Sequence, residues 1–156
     1  MDQNKLIIRN VIRIIGIIVA GITAVAGIAF RAIAAGIGNS NISSVSSLMD
    51  NLKTLATACN IARVCAIVLF VLAVAFVVYD VIAKLYPISI GAIGLVIAII
   101  AFVGNFMMAP CSSAEAFVTA ALSGSSMNGP EFGSYMVLAG GVFYASYHGG
   151  CMKKGR

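Results

Sequence analysis

The sequence predicts an all-helical integral membrane protein with four transmembrane helices. Its 156 residues are 61% hydrophobic and only 10% charged, whereas soluble domains average about half apolar and about a quarter charged. The apolar residues collect in four runs, and the polar stretches between them are too short to build a hydrophobic core. We therefore expect a single membrane domain over residues 1–156, embedded in a lipid bilayer.

The four apolar runs set the bounds of the predicted spans. A helix crosses the hydrocarbon core of a bilayer in roughly 20 apolar residues, and residues 14–30 form an uncharged run close to that length. The fourth run is short and contains glycine, so three spans with a re-entrant hairpin is the open alternative. The predicted spans cover about residues 6–36, 61–85, 88–109 and 135–148.

The positions of the basic residues predict that both termini lie on the cytoplasmic side of the cell membrane. Basic residues concentrate on the cytoplasmic side of span ends. The basic start followed by an apolar run also resembles a secretory leader, which we interpret as a retained signal anchor. The net charge of +5 is spread over span ends, which disfavours nucleic-acid binding. Seven of the ten basic residues fall on the side of the termini, namely Lys5, Arg9, Arg13, Lys84, Lys153, Lys154 and Arg156.

The first outer connection, residues 37–60, is expected to contain a short helix. Its apolar residues recur at helical spacing from Val45 to Cys59. This helix either lies on the membrane surface or continues directly into the second span.

The second outer connection, residues 110–134, is also expected to contain a short helix. Ser112 and Glu115 have the spacing of a capping box, in which two side chains satisfy the first backbone N–H groups. After this helix, the run Asn128-Gly129-Pro130 indicates a turn that precedes the fourth span.

One face of the first span carries small residues between two arginines. Arg13 and Arg31 are about five helical turns apart and therefore share a face. Small residues let another helix approach closely, and arginine stems reach the membrane surfaces, so we interpret this as a helix-packing face. The alternative is a pore lining whose arginines favour anions. The small residues on this face are Gly16, Ala20, Thr23, Ala24 and Gly27.

A few polar and sulfur-containing residues interrupt the apolar runs. Asp80 precedes Lys84 by one helical turn, which predicts an ion pair between them. Asn105 is expected to hydrogen-bond to another helix. Cys59 and Cys111 both fall on the outer side, where a disulfide between them would join the two connections. The cysteines and the single histidine lack the spacing of metal ligands, so neither a metal nor a cofactor is expected.

These features predict a non-enzymatic multipass membrane protein that associates into a homo-oligomer, with a pore or channel as one form of that assembly. Glycine and alanine faces favour contacts with copies of the chain or with other membrane subunits. The sequence holds no nucleophile motif, paired carboxylates or phosphate-binding glycine loop. The alternatives are an accessory subunit of a larger transporter or secretion complex, and a membrane thiol-redox protein using Cys59 and Cys111.

Overall fold

The computed structural model describes residues 3–39, 44–85, 87–124 and 128–156, and this part of the chain is helical, without a strand. The prediction of an all-helical protein is thereby confirmed. Residues 40–43 and 125–127, which belong to the two predicted outer connections, lie outside the described residues. The helices are α1 (Gln3–Asn39), α2 (Val45–Ala83), α3 (Ser89–Met107), α4 (Ala114–Leu122) and α5 (Asn128–Lys153), with a 3₁₀ turn over Ala109–Cys111.

The long helices α1, α2, α3 and α5 form a four-helix bundle. Helices α1 and α3 each pack against both α2 and α5. Arg9 near the start of α1 contacts Asp80 near the end of α2, and Arg13 contacts His148 near the end of α5. Neighbouring helices are therefore antiparallel, and the chain begins and ends at the same end of the bundle, here called the termini end. The 3₁₀ turn and α4 lie at the opposite end, the loop end.

Three helices of the described residues are long and apolar enough to cross a membrane: Gln3–Ile37, Ser46–Ala83 and Ser89–Met107. Their outward side chains are mostly isoleucine and valine. Several polar side chains along these helices lie inside the bundle, where they find hydrogen-bonding partners that a bilayer would not offer. The buried polar residues include Arg9, Arg13, Thr23, Asp80, Asn105, Ser134 and His148.

Helix α2 begins within the predicted first outer connection and runs without a break through the second span. Its buried face explains this continuity, because buried positions recur every seven residues, which keeps them on one side of a helix. The predicted connection 37–60 is therefore largely helical, and the helix predicted from Val45 continues directly into the span. The buried positions in this register are Leu52, Cys59, Ala66, Ala73 and Asp80.

The starts of α4 and α5 differ from the predictions by small shifts. Ser113, not Ser112, caps α4, and its hydroxyl oxygen accepts a hydrogen bond of 2.9 Å from the Ala116 N–H. The run from Asn128 to Pro130 is the first turn of α5 rather than a turn before it. Proline is tolerated there because the first N–H groups of a helix have no helical acceptor. Helix α5 is thus longer than the predicted span 135–148.

Candidate functional site

The candidate site is a cluster of charged and aromatic side chains buried at the termini end of the bundle. Arg9 of α1 donates from Nε to Asp80 Oδ1 at 2.9 Å and from Nη2 to Asp80 Oδ2 at 3.1 Å. The Asp80 side chain is fully buried and that of Arg9 is 7% exposed. Two parallel hydrogen bonds between opposite charges form the strongest common side-chain pair. This pair holds the start of α1 against the end of α2.

Arg13 lies one helical turn after Arg9 and joins α1 to α5. Its Nε donates to His148 Nδ1 at 3.3 Å, and its Nη1 donates to Asn10 Oδ1 at 3.4 Å. Because His148 Nδ1 accepts this hydrogen bond, the neutral imidazole carries its proton on Nε2. Arg13 Nη2 and His148 Nε2 are buried and make no hydrogen bond within the part of the chain that the structure describes.

Aromatic rings surround this charged cluster. The guanidinium carbons of Arg9 and Arg13 each lie 5.1 Å from the ring centroid of Phe76, within the range of cation–π attraction. The His148 ring lies between Phe76 at 4.9 Å and Tyr144 at 4.5 Å, measured between centroids. Gly94 of α3 lies directly against His148 Nε2 and leaves no space there for a side chain. All four long helices therefore contribute to the cluster.

A cavity of about 220 Å³ lies beside the cluster, between the start of α1 and the end of α5. Its polar lining comes from three arginines and an asparagine, and its apolar lining includes Leu6 and Met152. The buried Arg13 therefore borders an open volume as well as His148. The polar lining residues are Arg9, Asn10, Arg13 and Arg156.

The small-residue face of α1 is in contact with α5 of the same chain. A Cβ atom added to Gly141 of α5 would lie 2.6 Å from the Ala20 carbonyl oxygen and 2.9 Å from the Ala24 nitrogen. Gly16 contacts the Tyr144 ring in the same way, and Gly27 lies against Leu138. Helix α5 therefore covers this face, which leaves no surface along it for a second copy or for a pore.

The two arginines at the ends of this face differ in their environment. Arg13 is only 1% exposed and points to His148 instead of reaching the membrane surface. Arg31 is partly exposed, donates from Nη2 to the Tyr135 hydroxyl at 2.9 Å, and lies 3.5 Å from a Glu131 carboxylate oxygen. Exposed ion pairs of this kind contribute about 0–1 kcal/mol. Arg31 therefore links α1 to α5 at the loop end only weakly.

The predicted ion pair between Asp80 and Lys84 is wrong, because Asp80 binds Arg9 instead. Helix α2 ends at Ala83, and Lys84 adopts the left-handed backbone conformation of a helix cap, with φ 56°. The spacing of one helical turn brings two side chains together only while the helix continues. The carboxylate therefore pairs across helices.

Asn105 of α3 faces α2, from which its side chain accepts a hydrogen bond. The donor is Arg63 Nε of α2, at 2.8 Å from Asn105 Oδ1. Asn105 is 1% exposed, so this contact satisfies a buried carbonyl group that would otherwise destabilise the bundle.

The predicted disulfide between Cys59 and Cys111 is absent, and all four cysteines are free thiols. The Cys59 thiol donates to the Met108 carbonyl oxygen at 3.3 Å, and the same oxygen accepts from the Cys111 N–H at 3.0 Å. Burial raises the pKa of the Cys111 thiol, because a thiolate would lose its hydration. A raised pKa lowers the fraction of reactive thiolate.

We therefore expect Cys111 to react with a maleimide only slowly in the folded protein and completely after unfolding. The measurements are the intact mass of the unlabelled protein without a reductant, and peptide masses after timed labelling in mild detergent and in denaturant, which assign each label to a cysteine. Cys65, which is only partly buried, serves as the internal reference for labelling within a helix. A mass lower by two hydrogens before labelling, or rapid labelling at Cys111, would contradict this expectation.

The charged cluster joins residues that are far apart along the chain, so local spacing does not reveal it. In the sequence, Arg9 and Arg13 indicate orientation and Arg13 also ends the small-residue face, and no pattern places His148 in the bundle interior. One signal was present: Asp80 and His148 stand near the ends of apolar runs that an antiparallel arrangement places beside the start of α1.

Comparison of the chain with protein-family models, with curated protein sequences and with solved structures finds no match.

Proposed function

We propose that the chain is a non-enzymatic integral membrane protein of the cell membrane, with four spans, that associates with further copies of itself. The observation that supports this association is a change along α1 in the size of its exposed side chains. Toward the termini end this surface consists of large branched side chains, among them Ile14, Ile18 and Ile22. Toward the loop end it exposes Ala29, Ala32, Ala35 and Gly36.

A groove of about 420 Å³ between α1 and α2 adjoins this small-residue surface. The hydroxyls of Thr54 and Thr57 donate to backbone carbonyl oxygens of their own helix, at 3.2 and 3.0 Å. The remaining lining of the groove is apolar. Helices associate within a bilayer where small residues let backbones approach closely, because lipid tails already solvate large apolar side chains. The other lining residues are Ala26, Ala29, Ile33, Ala58 and Ile61.

The geometry of α5 supports a fourth span. Its 26 residues extend about 39 Å as a helix, which exceeds the roughly 30 Å of the hydrocarbon core. One end lies beside Arg31 and the other beside Arg13, so it runs along the same stretch of the bundle as α1. Its mean hydropathy is lowered by glycine, serine and histidine residues that face the bundle interior.

The charge distribution supports cytoplasmic termini. Lys84 follows α2 and Lys153 ends α5, both at the termini end, where α1 begins. Cytoplasmic loops and tails carry the excess of basic residues in membrane proteins.

We expect native mass spectrometry of the gently extracted protein to show an oligomer, and the substitution Ala29→Leu to weaken its association by about tenfold or more. A leucine fills the groove, and overpacking of a contact between helices costs about 1–3 kcal/mol. The matched control is Ala92→Leu, the same change at an exposed position of α3, a helix that does not contact α1. The control is expected to associate like the natural protein.

Two outcomes would contradict this proposal in different ways. Equal weakening by Ala29→Leu and Ala92→Leu would show that the groove is not the contact. A natural protein that remains monomeric at all concentrations would rule out self-association, and it would favour a different membrane subunit as the partner of this surface.

A further inference from the structure

The cavity at the termini end has an excess of positive charge. Arg9 is neutralised by Asp80, with which it forms two hydrogen bonds. Arg13 faces neutral partners, His148 and Asn10, and within the described residues it has no carboxylate partner. Arg156 adds a further guanidinium to the cavity wall. The lining therefore holds more positive charge than its neighbours compensate.

Arg13 supplies the evidence that this excess is directed at a ligand. It is 1% exposed, and its Nη2 donor is buried and makes no hydrogen bond within the described part of the chain. A buried charged donor without a partner is strongly destabilising. The Phe76 ring compensates only in part, because cation–π attraction supplies no hydrogen-bond acceptor. Because Arg13 also lines the cavity, an anion bound there would supply the negative charge that the guanidinium lacks.

The hydrogen-bond donors and the volume of the cavity indicate which kind of anion fits. Guanidinium groups match the oxygens of phosphate in bidentate geometry, and donors on α1 together with Arg156 surround a common volume. The volume of about 220 Å³ is below the roughly 300–1,000 Å³ of sites for drug-sized ligands. A phosphate group with a small substituent therefore fits better than a nucleotide.

We propose that this cavity binds a phosphate group, either as the head group of an anionic lipid or as a soluble phosphate. Basic pockets between membrane helices on the cytoplasmic side are a common form of head-group site. Leu6 and Met152 give the cavity an apolar wall, on which the glycerol of a lipid would pack. Arg13 and Arg156 hold the phosphate oxygens, and Asn10 donates from its amide.

The test uses the full chain in maltoside micelles, which contain no phosphate. One arm titrates phosphatidic acid against diacylglycerol with the same acyl chains, and native mass spectrometry counts the bound lipid. The other arm titrates inorganic phosphate and follows the midpoint of thermal unfolding by circular dichroism. Binding of phosphatidic acid but not of inorganic phosphate identifies a lipid head-group site. Binding of inorganic phosphate that the lipid does not displace identifies a soluble ligand.

Variants at the cavity separate a built site from general surface charge. We expect Arg156→Gln and Asn10→Asp each to weaken phosphate binding by about tenfold. Both residues are exposed and line the cavity, and an aspartate at position 10 would place a competing carboxylate beside Arg13. The matched control is Lys154→Gln, an exposed basic residue two positions from Arg156 that does not line the cavity. It is expected to bind within about twofold of the natural protein.

The proposal is overturned if neither phosphatidic acid nor inorganic phosphate binds, or if diacylglycerol binds as well as phosphatidic acid. It is also overturned if Lys154→Gln weakens binding as much as Arg156→Gln, because the attraction would then come from the general basic surface.

Discussion

Replacing Asp80 by asparagine is expected to lower the free energy of unfolding by about 3–5 kcal/mol. The carboxylate is fully buried and accepts two hydrogen bonds from Arg9. Asparagine keeps the size of the side chain but removes its charge, which leaves the buried guanidinium of Arg9 beside Phe76 without a counter-ion. The measurement is reversible unfolding in mixed micelles, followed by circular dichroism.

The control for this prediction is Asp50→Asn, the same change at an exposed position of the same helix. Surface substitutions of this kind shift stability by about 0.5 kcal/mol or less. The double variant Arg9→Met with Asp80→Leu removes both charges and is expected to recover most of the lost stability, since apolar pairs replace buried ion pairs at little cost. Equal effects of the changes at Asp80 and Asp50 would contradict the role assigned to the pair.

The helical class and three helices capable of crossing a membrane could be predicted because they depend on local composition. A run of apolar residues without charge is sufficient to indicate a membrane helix, and three such helices are present among the described residues. The sequence left open whether the helix from Val45 continues into the second span, and the structure shows that it does, with buried positions from Leu52 to Asp80 in one register. That register is broken neither by glycine nor by proline, so a helix through the whole stretch costs little.

The pairing of the charged residues could not be predicted from spacing alone. The rule that favoured Lys84 as the partner of Asp80 holds only within a continuous helix, and α2 ends between them. The pairs of Arg9 with Asp80 and Arg13 with His148 join residues that are 71 and 135 positions apart. These pairs depend on which helices pack side by side, and spacing along the sequence does not determine that arrangement.

Because α1 and α5 pack closely at Gly141, we expect Gly141→Ala to lower the free energy of unfolding by about 1–3 kcal/mol. The added Cβ would lie 2.6 Å from the carbonyl oxygen of Ala20 and 2.9 Å from the nitrogen of Ala24. Both are backbone atoms of α1 and cannot rotate away, so the two helices must move apart. The same unfolding measurement in mixed micelles tests this.

Gly149→Ala is the matched control on the same helix, because a Cβ at that position meets nothing within 4 Å. Alanine favours a helix over glycine by up to about 1 kcal/mol, so this change is expected to leave stability unchanged or to raise it. The two substitutions are chemically identical and differ in sign only if α5 covers the small-residue face of α1. If Gly141→Ala were as harmless as Gly149→Ala, that face would be free, and a pore lined by Gly16 to Gly27 would again be consistent with the protein.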